Sequence, residues 1–375
     1  MKTNKIAIGI PAYKAFSTIE DTLSSINIQS FRDNIIVYIC NDNPGDDYTY
    51  LSELYKKLDI KYLHNEKNGG PGVARNKCLE AAIADEAFAI TFIDADDIFA
   101  GPFAIENLIN AFKQKPNTIQ VQSIFAQPVL INGETKLYPR TDLGHPWVFG
   151  RMTLIRFLKD TGINFGTLRA MEDGRFQHCL RLLIEGTNLN IVQTNDISYI
   201  WKEGSEHSIT RSGADINDGI PVYNYGTCQL GAAACFKQAI EFAASKNPFN
   251  GNIVKFATEQ MVDKYFTYYE CVEKCPKFAE QNWWLSKWFY NNCFKKYCPN
   301  VSDEVLESLM MKMLPKLSQF KKMPELTFNQ WFEKISTEEF KEEELIEIRR
   351  RLPEAILNVE KKTGQLPENP LDILK

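Results

Sequence analysis

The chain has 375 residues, of which 44% are apolar and 24% charged, and its formal net charge is -5. This composition is typical of a globular protein long enough for two domains, and the acidic balance argues against nucleic-acid binding by charge alone. No run of 18 apolar residues occurs and the N-terminus lacks a signal-peptide pattern, so no membrane-spanning segment is expected. The odd number of cysteines, nine, favours free thiols in a reducing compartment. A cytoplasmic location is therefore predicted.

Four apolar segments alternate with helical patterns in the first hundred residues. The alternation predicts an α/β fold with a mostly parallel sheet covered by helices. After the first segment, Ser17 and Glu20 have capping-box spacing, and Ile19, Leu23 and Ile26 predict one apolar helix face. A further helix is expected around 47–57. The apolar segments are 5–11, 35–40, 60–64 and 88–93.

Later segments extend this pattern and then change character. Asn132-Gly133 predicts a hairpin turn, residues 147–185 favour helices around a loop, and residues 189–201 favour a strand. From about residue 220, helical periodicities dominate. We therefore expect an α/β domain over 1–215 and a mainly α-helical domain over 216–375.

An acidic cluster, Asp94-Ala95-Asp96-Asp97, follows the fourth apolar segment. Three carboxylates within four residues repel one another unless a cation lies among them. Oxygen ligands at a strand end suit Mg²⁺ or Mn²⁺, which commonly bridge nucleotide phosphates. The alternative is a solvated acidic turn or a helix cap, which the position directly after a buried strand makes less favoured.

Two further signals lie at the ends of predicted strands. Asp42 follows the second strand, where an acidic side chain accepts hydrogen bonds from a ribose or a base; its alternative is an Asx-turn. The glycines of 69–72 precede a helix that carries Arg75, and such glycines let a phosphate or base approach closely. The alternative for Arg75 is a surface ion pair.

Candidate proton-transfer and metal groups come later in the chain. Glu172 and Asp173 lie at the start of a predicted amphipathic helix. A carboxylate there is a candidate general base, and the alternative is an acid that the helix dipole favours. His207 is a candidate metal ligand, or a surface residue.

Together these motifs resemble the GT-A fold glycosyltransferases of family 2, a large inverting family. The resemblance covers about residues 5–212. It rests on IGIPAY (8–13), CNDNPGDD (40–47), GGPGVARN (69–76), FIDADD (92–97), MEDGRF (171–176) and HSIT (207–210).

The resemblance implies a role for each matching residue. Asp173 would be the catalytic base, with Glu172 beside it. The metal, Mn²⁺ or Mg²⁺, would be bound by Asp96 with Asp94 and His207. The nucleotide-sugar donor, with UDP as the usual carrier, would be bound by Pro11, Ala12 and Tyr13 lining the base pocket, by Asp42 at the base, by Arg75 supporting the nucleotide, by Asp94 at the ribose and by Asp97 near the sugar. Trp147 would be a platform for the sugar ring, with a core tryptophan as its alternative. Residues 1–215 would form the catalytic domain, and residues 216–375 are a candidate acceptor-binding domain.

The acceptor is left open by the sequence. A surface glycan or glycolipid is the first expectation, and a hydroxymethylated pyrimidine of phage DNA is an alternative, which the acidic net charge weakens. A non-catalytic nucleotide-sugar or glycan-binding protein on the same scaffold is a third hypothesis. The stretch 283–297 interleaves aromatic residues with lysines and has no acid. It suits base stacking, a membrane surface near a lipid-linked acceptor, or packing against the catalytic domain.

Overall fold

The computed structural model describes residues 5–141, 145–168, 171–202, 216–217, 220–247, 251–274, 285–317, 326–343 and 345–346. The chain divides into two compact units. The first unit comprises residues 1–180 and 186–208, and the second comprises 181–185 and 209–375. The candidate site lies in the first unit.

Strands and helices alternate through the first unit, and the predicted α/β class is confirmed. The strands are β1 Ile6–Ala12, β2 Ile35–Asn41, β3 Asp59–His64, β4 Ala89–Phe92, β5 Ile98–Phe99, β6 Thr118–Ile131, β7 Glu134–Arg140, β8 Arg151–Leu154 and β9 Asn190–Ile200. The helices are α1 Ile19–Asn27, α2 Leu51–Leu54, α3 Pro71–Ala84, α4 Ala104–Ala111, α5 Ile155–Thr161 and α6 Glu172–Ile184, the last of which continues into the second unit.

Within the described residues these strands form one sheet in the order β3-β2-β1-β4-β8-β6-β9-β5, with β7 paired to β6. The sheet is parallel from β3 to β4, as the alternation predicts. Beyond β4 it is mixed, because β8 runs antiparallel to both β4 and β6 while β6 and β9 are parallel. The carboxyl ends of β1, β2 and β4 therefore meet at one edge.

The central strand β1 is buried on both faces. Ile6, Ile8 and Ile10 belong to one apolar core, together with the buried face of α1 and with residues of α4. The alternate residue Gly9 faces α3, and a Cβ atom at this position would lie 3.0 Å from Cβ of Cys78. Burial on both faces explains why these strands are continuous apolar runs in the sequence.

Three local predictions were wrong. The expected capping box at Ser17 is absent, because α1 begins after Thr18, which makes no side-chain cap bond and donates to the Ala15 carbonyl instead. The helix expected over 47–57 is limited to Leu51–Leu54. The segment 147–185 contains strand β8 before its helices, and four residues are too few to display a strand period.

Other predictions were confirmed. Ile19, Leu23 and Ile26 are fully buried on one face of α1. Asn132 and Gly133 form the turn between β6 and β7, both with positive φ. The strand expected over 189–201 is β9.

The second unit is mainly helical, as expected from the sequence. Tyr265, Phe328 and Trp331 pack together in its core, with ring centroids 5.0 to 6.0 Å apart. A two-residue strand pair, Ile216–Asn217 with Ile220–Pro221, precedes the helices. The helices are α7 Val222–Lys246, α8 Gly251–Lys274, the helical residues 285–297 with a π-helical turn at Tyr290–Phe294, Asp303–Leu317 and Phe328–Thr337.

The aromatic stretch 283–297 contributes to this helical core over the part that the structure describes. Trp288, Phe289 and Phe294 are buried, and Phe294 contacts Phe332. Burial of these rings removes them from the surface that base stacking would need. None of the helices in the described ranges is long and apolar enough to cross a membrane.

Candidate active site

The loops that follow β1, β2 and β4 are joined by backbone hydrogen bonds at the carboxyl edge of the sheet. The Asp42 amide donates to the Ala12 carbonyl at 2.8 Å, and the Ile93 amide donates to the Gly9 carbonyl at 3.1 Å. Pro11 is half-buried, Ala12 is buried and Tyr13 is 41% exposed. The predicted base-pocket residues, Asp42 and the acidic cluster therefore share one edge, where ligands bind in such sheets.

Asp42 anchors the loop that leads into α3. Its carboxylate accepts hydrogen bonds from Asn65 Nδ2 at 2.7 Å, the Gly69 amide at 2.9 Å and the Gly70 amide at 2.8 Å. The side chain is 3% exposed. Three donors to one buried carboxylate fix the loop firmly. The binding of a base by Asp42 stays a prediction, and loop anchoring is a role that the sequence reading missed.

A second aspartate joins the loops after β1 and β2. Asp46 accepts hydrogen bonds from the Lys14 amide and the Tyr48 hydroxyl, both at 3.0 Å, and from Asn43 Nδ2 at 2.8 Å. The Tyr48 hydroxyl also accepts from the Ala15 amide at 2.9 Å. These bonds position the predicted base pocket. The acidic CNDNPGDD motif was the signal for Asp46, which the sequence reading did not single out.

Arg75 lies at the centre of the site. Its Nη1 donates to Glu172 Oε1 at 2.5 Å and its Nη2 donates to Asp94 Oδ1 at 2.6 Å. The guanidinium carbon lies 5.6 Å from the centre of the Phe165 ring. With only 4% of the residue exposed, Arg75 is a buried bridge between the acidic cluster and the start of α6. The surface ion pair considered from the sequence is therefore ruled out.

The charges around Arg75 shift one another's pKa values. Burial lowers the pKa of the guanidinium, but Asp94, Glu172 and Asp173 outweigh it and hold the pKa above its ordinary value. Burial, with repulsion from Asp173, raises the pKa of Glu172 to about 7, and Arg75 opposes this shift. Burial likewise raises the pKa of Asp173, against the attraction of Arg75. A raised pKa suits a carboxyl group that exchanges a proton near neutral pH.

Glu172 and Asp173 occupy different surroundings although they are adjacent. Glu172 is 6% exposed and paired with Arg75, whereas Asp173 is partly exposed and accepts a bond from the Gly174 amide at 2.8 Å. Met171, directly before them, has a φ of 65°, which costs a non-glycine residue about 1–3 kcal/mol. Such strain persists where the surrounding structure fixes it, and here it sets the direction in which α6 begins.

A close approach between α3 and α6 depends on Gly72. A Cβ atom at this position would lie 3.0 Å from both Cβ and Cγ of Glu172 and 3.3 Å from the Leu168 carbonyl oxygen. We expect Gly72→Ala to displace Glu172 from Arg75 and to lower kcat by about tenfold, since small misplacements of catalytic groups are costly. Steady-state kinetics with a Gly45→Ala control, which meets no atom within 4 Å, checks this. Equal kcat for both variants would contradict it.

The third residue of the acidic cluster is tied to the end of β9. Asp97 Oδ2 accepts from the Tyr199 hydroxyl at 2.5 Å, and Oδ1 accepts from the Lys202 amide at 2.7 Å. The Tyr199 hydroxyl also accepts from the Asp94 amide at 3.2 Å. Burial, with repulsion from Asp94 and Asp96, raises the pKa of Asp97 to about 8. Asp97 thus fixes the shape of the cluster, and its predicted place beside the sugar stays a prediction.

Helix α1 and Gln29, which follows its end, contact the acidic cluster and the segment after it through a polar stripe. Thr22 donates to the Asp97 carbonyl at 2.7 Å, Ser25 accepts from the Phe99 amide at 3.1 Å, and Gln29 donates to the Gly101 carbonyl at 2.8 Å. All three side chains are buried. The sequence reading missed them, although polar residues spaced at i, i+3 and i+7 beside an apolar face were the available signal.

Trp147 belongs to a group of stacked aromatic rings beside the cluster. Its ring lies 5.1 Å from His145 and 5.9 Å from Phe149. Phe149 in turn stacks on Tyr199 at 4.9 Å, which connects the rings to Asp97. Trp147 is partly exposed and packs on the apolar core, and its role as a sugar platform stays a prediction.

The carboxylates of the acidic cluster suit a divalent metal ion whose remaining ligands come from a phosphorylated ligand and water. Asp94 and Asp96 are both partly exposed on the strand-end loop. No group of three His, Cys, Asp or Glu residues with metal-binding geometry occurs in the described part of the chain, and His207 lies outside it. Mg²⁺ is commonly bound by one or two carboxylates with substrate phosphates and water completing its shell. The acidic cluster meets that requirement.

Comparison with known proteins shows which family the first part of the chain resembles. Residues 7–179 match the family model described as glycosyl transferase family 2. Over these residues the chain is similar to glycosyl transferase family 2. This match confirms the family resemblance drawn from the sequence motifs.

The similar proteins match this chain over limited lengths. An uncharacterized glycosyltransferase of Rickettsia conorii is 35% identical over 100 residues, which are 26% of this chain and 16% of that protein. The amylovoran biosynthesis glycosyltransferase AmsB of Erwinia amylovora is 34% identical over 101 residues, 26% of this chain and 32% of its own. The chain thus spans no more than a third of either relative.

A solved structure extends over more of the chain at low identity. S. aureus TarS residues 1–349, in complex with UDP-GlcNAc, is 18% identical and covers 86% of this chain and 94% of its own, with a TM-score of 0.47.

Proposed function

We propose that this protein is an inverting glycosyltransferase that moves a sugar from a nucleoside diphosphate sugar, with UDP as carrier, to an acceptor hydroxyl. The observation that carries the proposal is the Arg75 bridge, which ties the acidic cluster to the start of α6. Because the bridge joins Asp94 to Glu172, it sets a candidate donor-binding loop beside a candidate base. We assign catalysis to residues 1–215 and acceptor binding to the helical residues 216–375.

The partly exposed Asp173 is the proposed base. It takes the proton of the acceptor hydroxyl as that oxygen attacks the anomeric carbon, and the bond from this carbon to the diphosphate breaks. A single displacement inverts the configuration of the carbon. Glu172, buried and paired with Arg75, orients the start of α6 and leaves Asp173 to contact the acceptor.

Asp94 and Asp96 would hold Mn²⁺ or Mg²⁺, with His207 as a further predicted ligand. Such an ion, when bound, would neutralise the negative charge that develops on the leaving diphosphate. The chain's own part is the shape of the loop, which Tyr199 fixes through Asp97. Pro11, Ala12 and Tyr13 with Asp42 would enclose the base, and Trp147 would face the sugar.

The proposed acceptor is a glycan or a lipid-linked glycan. The name of AmsB links that relative to the biosynthesis of amylovoran, and a polysaccharide or its precursor is the corresponding acceptor class for this chain. Glycosylation of a DNA base is not favoured, because the net charge is -5.

Nucleotide release from a panel of nucleotide sugars, with and without Mn²⁺, tests the proposal. We expect Asp96→Asn to lower Mn²⁺-stimulated release about 10²–10³-fold, the range for losing one group that stabilises transition-state charge. Asp160→Asn serves as the control, because Asp160 is an exposed acid on α5 paired with Arg156. Undiminished release by Asp96→Asn, or no release from any donor by the unaltered chain, would contradict the proposal.

A further inference from the structure

The β6–β7 hairpin extends beyond the rest of the sheet. Strand β6 pairs with β9 only as far as Ala126, opposite Ile200. From Gln127 to the turn at Asn132-Gly133, β6 pairs with β7 alone among the described strands. Residues 127–138 thus form a two-stranded ribbon, named here the hairpin ribbon, that is about 17 Å long at the usual rise per residue. It leaves the sheet at the edge that holds the candidate site.

The hairpin ribbon exposes an unusual amount of apolar surface. Its exposed apolar side chains are between 36% and 72% exposed. Monomeric proteins seldom expose contiguous apolar patches unless the patch contacts a partner or a membrane. The exposed residues are Val129, Leu130, Ile131, Leu137 and Tyr138.

These side chains lie on both faces of the ribbon. Gln127, Val129 and Ile131 alternate along β6 and therefore share one face of the ribbon. Tyr138 lies on the same face, because it pairs directly with Gln127. Leu130 lies on the opposite face with Leu137. A protein partner that packs against a sheet covers one face, whereas a lipid surface surrounds what enters it. The two-faced apolar character therefore favours a lipid surface.

The edges of the ribbon discourage pairing with another strand. Pro128 and Pro139 place a residue without an amide donor in each strand, and Lys136 adds a charge. Proline and lysine at exposed edges are the features by which β-proteins avoid edge-to-edge association. Strand addition by a second copy or by a peptide is thus disfavoured.

The charges along the hairpin fit an anionic lipid surface. Lys136 and Arg140 outnumber Glu134, and Tyr138 is a residue that prefers the boundary between headgroups and hydrocarbon. Basic residues near such a surface each add attraction to anionic lipids.

We propose that the hairpin ribbon inserts its apolar side chains into the boundary region of an anionic lipid bilayer. The contact is peripheral, and it brings the carboxyl edge of the sheet to the lipid surface. It is independent of the donor chemistry proposed above.

Vesicle co-sedimentation of the full chain tests the inference, with phosphatidylcholine vesicles that contain or lack phosphatidylglycerol. We expect the unaltered chain to bind the anionic vesicles. The double variant Leu130→Ser, Leu137→Ser should bind at least about tenfold more weakly, because each leucine loses its burial in lipid. The control is Leu54→Ser, Phe103→Ser, in which two residues of 58% exposure on other segments change and binding should be retained.

Further measurements separate the effect of charge on vesicle binding from loss of folding and from self-association. Lys136→Gln should weaken binding to the anionic vesicles by about fivefold, at about 1 kcal/mol for each basic residue. Thermal unfolding of each variant confirms that the fold persists. Absence of binding by the unaltered chain, equal binding by ribbon and control variants, or a dimer in light scattering that only the ribbon variant loses would each overturn the proposal.

Discussion

Replacing Arg75 with methionine is expected to lower the free energy of unfolding by about 3–5 kcal/mol, since the change strands two carboxylates that the guanidinium bridges. Asp94 and Glu172 lie at 2.6 and 2.5 Å from its two terminal nitrogens. Glu172 is buried and loses a charged partner without access to water. We expect kcat/KM to fall with stability by about 10²-fold or more, because the same bridge positions the acidic cluster.

Denaturant unfolding and donor kinetics measure the two effects together. Arg156→Met is the matched control, because Arg156 is an exposed arginine with one weak ion pair on α5. Arg75→Lys is a stricter test, since an ammonium group lacks the planar fork that contacts two carboxylates at once. If Arg75→Met unfolds and turns over like the control, Arg75 is not the central bridge.

The second large effect is expected for Asp173→Asn, which should lower kcat by about 10²–10⁴-fold, the range typical for removal of a general base. The donor KM should change little, because Asp173 is assigned to the acceptor hydroxyl. The free energy of unfolding should stay near that of the unaltered chain, since burial raises the pKa of Asp173 and a neutral side chain suits the position.

Glu172→Gln provides the contrast, because Glu172 is the ion-pair partner of Arg75 and its loss should act first on stability. Single-turnover transfer and thermal unfolding of both variants separate the two roles. The assignment fails if Glu172→Gln removes transfer with an unchanged unfolding temperature while Asp173→Asn retains it.

Much of the first unit was predictable because its signals are local. The apolar runs of β1, β2 and β4 are buried on both faces, so they stand out in the sequence whatever they pack against. The polar motifs follow those runs directly, and parallel alignment brings them to one edge. The turn at Asn132-Gly133 was predictable because both residues accept a positive φ.

The missed features depend on residues distant in sequence. Tyr199 contacts Asp97 across 102 positions, and no pattern near either residue indicates the other. Strand β8 has four residues and is defined by its neighbours β4 and β6. Ser17 was assigned a cap from spacing alone, whereas the backbone enters α1 through a turn that ends at Thr18. In each case the deciding contact is tertiary.

The polar stripe of α1 sets a limit on how this sequence can change. One face of the helix carries Leu23 and Ile26 into the apolar core, and another carries Thr22 and Ser25 to the acidic cluster and the segment after it, where Gln29, two residues past the end of the helix, continues the contact. Each residue advances a helix by about 100°, so inserting or deleting one residue within α1 would rotate both faces out of register together. Insertions and deletions in related chains should therefore concentrate outside α1, while its length stays constant.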